Sequence, residues 1–188
     1  MTPSMGQSWA RIETWLREHA PASSRQLAPP AARTAIAAAE DRLGTSFPQP
    51  LVESLLRHDG TDLATVLPWG ACLLGTEDIV RTWEMKMDIF GEDADILLDD
   101  PTMRYGPWWN RRWIPFAAFG NGDHLVIDGF GRVGEANHED GGHFYDHPMW
   151  ASLPDLFACV AEALMTGEIL DGCQQFVTAD GELDWDVV

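Results

Sequence analysis

The chain has 188 residues, 45% of them hydrophobic, which is enough for one domain with a substantial core and too short for two comfortable domains. Its formal net charge of −18 disfavours direct binding to nucleic acids or anionic membranes, because an acidic surface repels phosphate groups. Cys72, Cys159 and Cys173 are scattered and form no C-x-x-C pair, which argues against a disulfide framework or a zinc knuckle.

The first third of the chain has the apolar spacing of helices. Apolar residues three and four apart predict an amphipathic helix over 9–19, with Ser8 as its N-cap. A second helix follows the Pro29-Pro30 pair and ends before Gly44, and a third covers 48–58. The first sixty residues therefore predict three helices.

A short strand, a helix and a loop follow. Residues 71–74 form an apolar run that is typical of a buried strand. Thr76 can cap a fourth helix, since Glu77 and Asp78 then lie in the first turn, where the helix dipole favours acids. Over 91–107 acids and turn residues replace this periodicity and predict a surface loop.

Residues 108–128 predict the central hairpin of a sheet. Three tryptophans lead into an apolar strand, and the run Gly120-Asn121-Gly122-Asp123 supplies residues that accept positive φ. A second apolar run then ends at Asp128. Asp123 and Asp128 bracket this second strand and are the first residues to consider as catalytic or binding groups.

The rest of the chain predicts short strands over 132–136 and 143–145, then a helix capped by Ser152 that runs to Gly167. Alternation around Asp180-Gly181 predicts an edge hairpin in the tail. Helices, then strands joined by tight turns, then a closing helix predict an α+β fold. In it, N-terminal helices and a C-terminal helix pack on a mainly antiparallel sheet.

The negative charge is unevenly distributed along the sequence. Residues 1–60 hold six arginines and six acids, which cancel. The remaining residues hold 24 acids against six basic residues and therefore carry the whole excess. This part of the protein favours cationic partners, although a strong negative charge also serves solubility alone.

Residues 129–134 match the pattern G-x-G-x-x-G and follow a predicted strand. A dinucleotide site also needs a helix whose N-terminus meets the pyrophosphate, and 135–142 has no helical periodicity. A kinase-type loop needs a lysine on the next strand, whereas the single lysine, Lys86, lies earlier. We predict a bulged hairpin turn and no cofactor.

The segment from His138 to His147 is the best metal candidate. It contains His138, Glu139, Asp140, His143, Asp146 and His147. Zincins place two histidines one helical turn apart, whereas His138 and His143 are five residues apart with two glycines between them. A solvated turn without metal is our main interpretation, and a metal-dependent hydrolase remains an alternative.

Other arrangements for catalysis are absent from the sequence. On one extended strand Asp123 and Asp128 would lie roughly 17 Å apart and on opposite faces, too far for a glycosidase pair. No serine lies in a G-x-S-x-G setting, and no cysteine has a basic neighbour that would activate it. We therefore expect no catalytic residue and a protein that is not an enzyme.

Several segments form an ordered pattern along the chain: residues 9–16; Leu27 with Pro29-Pro30 and Ile36; Glu40 with Leu43-Gly44 and Phe47-Pro48; Leu55-Leu56 with His58-Asp59-Gly60; residues 113–116; and Gly120-x-Gly122-Asp123 with the strand that ends at Asp128. In this order they resemble the SMI1/KNR4 family of the SUKH superfamily. We predict a single domain over 1–188, with a family core over about 9–167 and an extension over 168–188.

The resemblance implies an α+β fold and a non-enzymatic role. Bacterial members of this family are typically immunity proteins that neutralise a toxin domain, and fungal relatives are interaction hubs in cell-wall signalling. An inhibitor of a basic nuclease toxin would carry this chain's charge asymmetry, because complementary fields speed association. A regulatory scaffold without a toxin partner is the alternative function. The sequence is compatible with either a monomer or a homodimer.

We expect the partner to be a protein, with no nucleic acid or membrane bound. The N-terminus lacks a basic segment followed by an apolar run, which predicts a cytoplasmic location. Exposed aromatic residues and acids are the expected contacts. These candidates are Trp69, Asp95, Asp99, Asp100, Trp108, Trp109 and Asp123.

Overall fold

The computed structural model describes residues 3–91, 93–95 and 102–188, which form six α-helices and seven β-strands. The helices are α1 Met5–His19, α2 Pro21–Arg25, α3 Arg33–Leu43, α4 Gln49–Leu55, α5 Thr76–Phe90 and α6 Leu153–Thr166. The strands are β1 Cys72–Leu73, β2 Ile114–Ala118, β3 His124–Ile127, β4 Val133–Asn137, β5 Gly141–His143, β6 Cys173–Val177 and β7 Leu183–Val187. The predicted α+β class is confirmed.

Helix α1 begins one turn earlier than predicted. Ser4 is its N-cap, and Ser4 and Gln7 form a capping box in which each side chain accepts the other's backbone N–H. Ser8 is buried inside the helix, so the prediction that it caps α1 is wrong. The C-terminal end of α3 is as predicted, because Gly44 adopts the left-handed conformation with φ of 67°.

The start of α5 is fixed by Asp59, a residue from a different segment. The backbone N–H of Thr76 donates to Asp59 Oδ1 at 2.6 Å, and the Thr76 hydroxyl donates to Oδ2 at 3.2 Å. Gly75 occupies the N-cap position, so the predicted cap at Thr76 is wrong. A Cβ on Gly60 would lie 2.5 Å from the Gly75 nitrogen, so this junction requires glycine.

The main sheet has the order β1-β2-β3-β4-β5, and every neighbouring pair is antiparallel. The predicted central hairpin is β2–β3, and β3 is the middle strand. Ile114 pairs with Ile127, and the register shifts between Pro115 and Ala117. This irregularity accommodates a proline, which has no N–H to donate to a regular ladder.

Neighbouring segments cover both edges of the main sheet. Beside β5, the Gly106 N–H donates to Gly142 O at 2.7 Å, and the Phe144 N–H donates to Arg104 O at 2.7 Å. Beside β1, the Thr61 N–H donates to Leu73 O at 3.0 Å. A partner therefore finds little free edge on which to add a strand.

The C-terminal hairpin β6–β7 is a separate two-stranded sheet, not an edge of the main sheet. It turns at Gly181, whose φ is 80°, as the sequence predicts. The Trp185 indole N–H donates to Thr65 O at 3.0 Å, and the Leu183 N–H donates to Ser23 Oγ at 2.9 Å. The hairpin is thereby tied to the segment after α4 and to α2.

Helices α1, α4 and α6 share one part of the core. The indole of Trp9 packs 5.2 Å from the ring of Phe157 and donates its N–H to Ser54 Oγ at 3.0 Å. The buried tryptophan thus gains apolar contact without leaving its polar atom unpaired. Of the helices described, none has the length and apolar run needed to cross a membrane.

The Gly142→Ala substitution tests the contact between β5 and the tryptophan ahead of β2. A Cβ on Gly142 would lie 2.2 Å from Cη2 of Trp113, a buried ring with little room to move. We expect a loss of about 3 kcal/mol in the free energy of unfolding, measured by urea denaturation.

Gly6→Ala is the matched control, since a Cβ there meets nothing within 4 Å. It should stabilise α1 by about 0.5–1 kcal/mol, because alanine favours a helix more than glycine does. Equal stability of the Gly142→Ala variant and the wild type would contradict this packing.

Candidate functional site

A cleft of about 900 Å³ opens between the β2–β3 turn, β4, the segment after β5 and the 3₁₀ turn Pro68–Gly70. We call it the aromatic–acidic cleft. Its aromatic lining is Trp69, Phe119, Tyr145 and Trp150, and its acidic lining is Asp123, Glu135, Asp146 and Asp171. An open cleft with a few polar groups among aromatic rings is the ordinary form of a binding site.

A row of aromatic rings forms one wall of the aromatic–acidic cleft. Trp69 stacks on Trp150 with centroids 5.6 Å apart, and Tyr145 lies 5.3 Å from Trp150. Beyond the cleft lining the row continues from Tyr145 to His143 and on to Tyr105, with ring centroids 6.0 and 5.4 Å apart. Trp150 is buried, whereas Tyr145 is 45% exposed and presents its ring to solvent.

Two residues of the cleft have a strained backbone conformation. Within the described chain, Trp69 and Asp171 are the non-glycine residues with positive φ, at 60° and 47°. Aspartate accepts this conformation readily, but for tryptophan it costs roughly 1–2 kcal/mol. The 3₁₀ turn that carries Trp69 packs against β6 and β7. Such outliers concentrate at functional sites, which supports a role for this cleft.

Asp123 orders the floor of the cleft. Its side chain is 4% exposed and accepts hydrogen bonds from the His138 N–H at 2.7 Å and from Asn121 Nδ2 at 2.6 Å. His138 Nδ1 also lies 2.7 Å from the carboxylate. Burial raises the pKa of Asp123, but these hydrogen bonds outweigh it and the pKa lies below its usual value. The carboxylate therefore stays charged.

Asn137 connects Asp123 to Glu135. Its amide Nδ2 lies 3.4 Å from Asp123 Oδ2 and donates to Glu135 Oε1 at 3.1 Å. Glu135 and Asn137 are two apart on β4, so their side chains share a face of the sheet. The network places the half-buried Glu135 carboxylate at the cleft floor.

The four acids of the cleft differ in their partners. Asp146 pairs with Arg104 at 3.0 Å, and Asp123 is held by His138. Neither Glu135 nor Asp171 forms an ion pair with any residue in the part of the chain that the structure describes. Their negative charges are therefore available to a ligand.

Asp128, the second bracketing aspartate, lies outside the cleft and shapes a turn. It accepts hydrogen bonds from the backbone N–H groups of Phe130 and Arg132 at 3.0 and 2.8 Å, and from Arg132 Nε at 2.8 Å. Gly131 has a φ of 83° in this turn between β3 and β4. The hairpin predicted for residues 129–134 is confirmed.

The histidine-rich segment is engaged in local contacts. His138 contacts Asp123, His143 Nδ1 lies 3.1 Å from the Tyr145 hydroxyl, and His147 Nδ1 accepts from the Met149 N–H at 3.2 Å. No group of three His, Cys, Asp or Glu side chains in the described ranges is arranged to hold a metal ion. This geometry gives the hydrolase alternative no support.

The structure brings together two of the predicted contact residues, Trp69 and Asp123. Trp108 is 44% exposed but stacks on Phe90, outside the cleft. Trp109 is fully buried, with Lys86 Nζ 5.9 Å from its ring, so it belongs to the core and offers no contact surface.

Three further predicted contacts are acids of the long loop. Asp95 ends the 3₁₀ turn Asp93–Asp95, and Asp99 and Asp100 lie outside the described residues. Sequence reasoning missed Glu135, Tyr145, Trp150 and Asp171. The alternation of β4 marks Glu135 as facing away from the buried Ala136, and the Asp171-Gly172 pair marks a turn.

The fold and the cleft together define an α+β domain with a preformed surface site. The chain belongs to the SMI1/KNR4 family (SUKH-1), because the family model matches residues 30–158, more than half of its length. Seven of the eight aromatic and acidic residues that line the cleft lie inside the match: Trp69, Phe119, Asp123, Glu135, Tyr145, Asp146 and Trp150. Asp171, from the turn before β6, lies outside it.

Two curated relatives are fungal proteins named KNR4/SMI1 homolog. The chain is 34% identical to the protein of Yarrowia lipolytica over 84 residues, which cover 43% of this chain and 12% of that protein. It is 34% identical to the protein of Eremothecium gossypii over 85 residues, 40% of this chain and 13% of the relative. The chain thus spans about an eighth of these relatives' length.

His124, the neighbour of Asp123 on β3, makes stability depend on pH. It is 7% exposed, and burial, aided by the charge of Lys86 and opposed by that of Asp123, lowers its pKa from 6.5 to about 4. Between these pH values the unfolded chain binds a proton that the folded chain does not. Stability is full above pH 6.5 and falls by about 3 kcal/mol towards pH 4.

His124→Gln should remove this dependence, since glutamine does not titrate. The measurement is the free energy of unfolding against pH for wild type and variant, with His19→Gln at the exposed end of α1 as control. The control should keep the wild-type slope. If His124→Gln also keeps it, the histidine is not the titrating group.

Proposed function

We propose that this protein is a non-enzymatic protein-binding domain, and specifically an immunity protein that binds and neutralises a basic toxin domain. The aromatic–acidic cleft is the observation that carries the proposal. Aromatic anchors beside charged groups are typical of the energetic centres of protein interfaces. The family resemblance suggests the immunity role, and the negative charge of this protein suggests that the partner is positively charged.

Electrostatics favour a cationic partner at this cleft. The whole net charge of −18 comes from residues beyond Gly60, and the cleft is built from that part of the chain. Among its lining residues four carboxylates face one guanidinium, that of Arg104. Opposite charges speed the encounter and fix the orientation of the complex, as rapid neutralisation of a toxin requires.

The chemistry of the nucleophilic side chains supports binding over catalysis. Burial is the main cause that raises the pKa of the thiols of Cys72, Cys159 and Cys173, so they stay protonated and weakly nucleophilic. Asp123 is already held by its hydrogen bonds from Asn121 and His138. The cleft therefore presents fixed charges and rings, which suits recognition.

Glu135→Lys should weaken binding to the toxin domain encoded by the neighbouring gene by about 100-fold, because a like charge replaces a complementary one in the interface. The measurement is titration calorimetry with purified proteins. Protection of growth in cells that express the toxin domain should fall in parallel.

Glu18→Lys on the exposed surface of α1 makes the same charge change and should leave affinity within about threefold of wild type. Rising salt should weaken the wild-type complex. If the wild type neither binds the toxin domain nor protects cells, the immunity role is wrong. Capture of a different protein through the same cleft would then favour the regulatory scaffold.

A further inference from the structure

The aromatic–acidic cleft has a distinct subsite around Tyr145. The ring of Tyr145 is half exposed above the buried Trp150. Glu135 and Asp171 line the same cleft as this ring, and Glu135 pairs across the β4–β5 ladder with His143, two residues before Tyr145. Burial, with the negative charge of Glu135 as the next cause, raises the pKa of the Tyr145 hydroxyl. One flat aromatic face and two carboxylates without ion pairs thus share the same space.

The protein already holds one of its own arginines in this way. The guanidinium of Arg132 lies 4.8 Å from the ring centre of Phe144 and bonds to the carboxylate of Asp128 at 2.8 Å. A guanidinium is planar, stacks on aromatic rings and donates two parallel hydrogen bonds to a carboxylate. The subsite at Tyr145 offers the same two components with no arginine of this chain among its described ion pairs.

Lysine fits these components less well. An ammonium group is compact and strongly hydrated, so it gains less from a ring face and from a pair of carboxylates. Arg104 pairs with Asp146 at the rim of the same cleft, which leaves Glu135 and Asp171 for an incoming side chain.

We infer that the cleft binds an arginine side chain of the partner, stacked on Tyr145 and bonded by Glu135 and Asp171. The inference rests on the proposed protein-binding function and names the group that is recognised. Trp69, in its strained conformation, stacks on Trp150 and lines the same cleft.

The test uses two peptides and the isotope-labelled full chain. Acetyl-Gly-Arg-Gly-amide and the same peptide with citrulline in place of arginine differ in charge but hardly in shape. Titration followed by NMR should shift the Trp69 indole signal and the amide signals of Glu135, Tyr145 and Asp171 with the arginine peptide alone.

Glu135→Gln should weaken the arginine peptide about tenfold, and Tyr145→Leu about fivefold, because each removes one component of the subsite. Glu18→Gln, on the surface of α1, should change nothing. The dispersion of each variant's spectrum shows that it is folded.

Equal shifts from both peptides, or shifts confined to residues outside the cleft, would overturn the inference. Because the peptides require no toxin, the result separates two failures. A toxin domain that binds while the arginine peptide does not leaves the proposed function intact and removes the arginine subsite. An arginine peptide that binds while the toxin domain does not keeps the arginine subsite and rules out the toxin domain as the partner.

Discussion

The buried carboxylate of Asp123 holds the turn of the central hairpin to the end of β4. A buried charge is costly unless it is fully hydrogen-bonded, and here Asn121 and His138 supply strong donors. Through Asn137 the same network reaches Glu135. One interaction therefore sets both the geometry of the sheet end and the position of a cleft acid. A site organised before binding loses less conformational entropy when a partner arrives.

The cleft is assembled from segments far apart in the chain. Trp69 comes from the turn before β1, and Tyr145 and Trp150 from the segment between β5 and α6. The C-terminal hairpin contributes by packing against the turn that carries Trp69, and the turn before the hairpin supplies Asp171. The hairpin and Asp171 lie beyond the family match at residues 30–158. The part of the chain outside the family match thus contributes directly to a site whose floor lies inside the match.

Local signals in the sequence predicted most of the elements, but the count of three helices before residue 60 was wrong because it left out α2, and β5 lies two residues earlier than predicted. Long-range contacts explain much of what the sequence missed. Apolar spacing located the long helices, and Gly-Asn-Gly chemistry located the β2–β3 turn. The cap of α5 was misplaced because Asp59 reaches it from another segment. The sequence offered no signal to separate Trp69 from Trp109, and both were predicted as contact residues. Tertiary packing buries Trp109 and leaves Trp69 on the cleft. Glu135 and Asp171 meet Tyr145 only after the sheet and hairpin have formed, so no spacing rule brings them together.

We propose that a protein partner occupies the aromatic–acidic cleft. Hydrogen exchange of the full chain, alone and bound to the toxin domain encoded by the neighbouring gene, tests it most directly. The expected result is slower exchange in the segments that carry Trp69, Glu135 and Tyr145, with α3 unchanged. Slower exchange over α3 and α5 with the cleft segments unchanged would contradict the account.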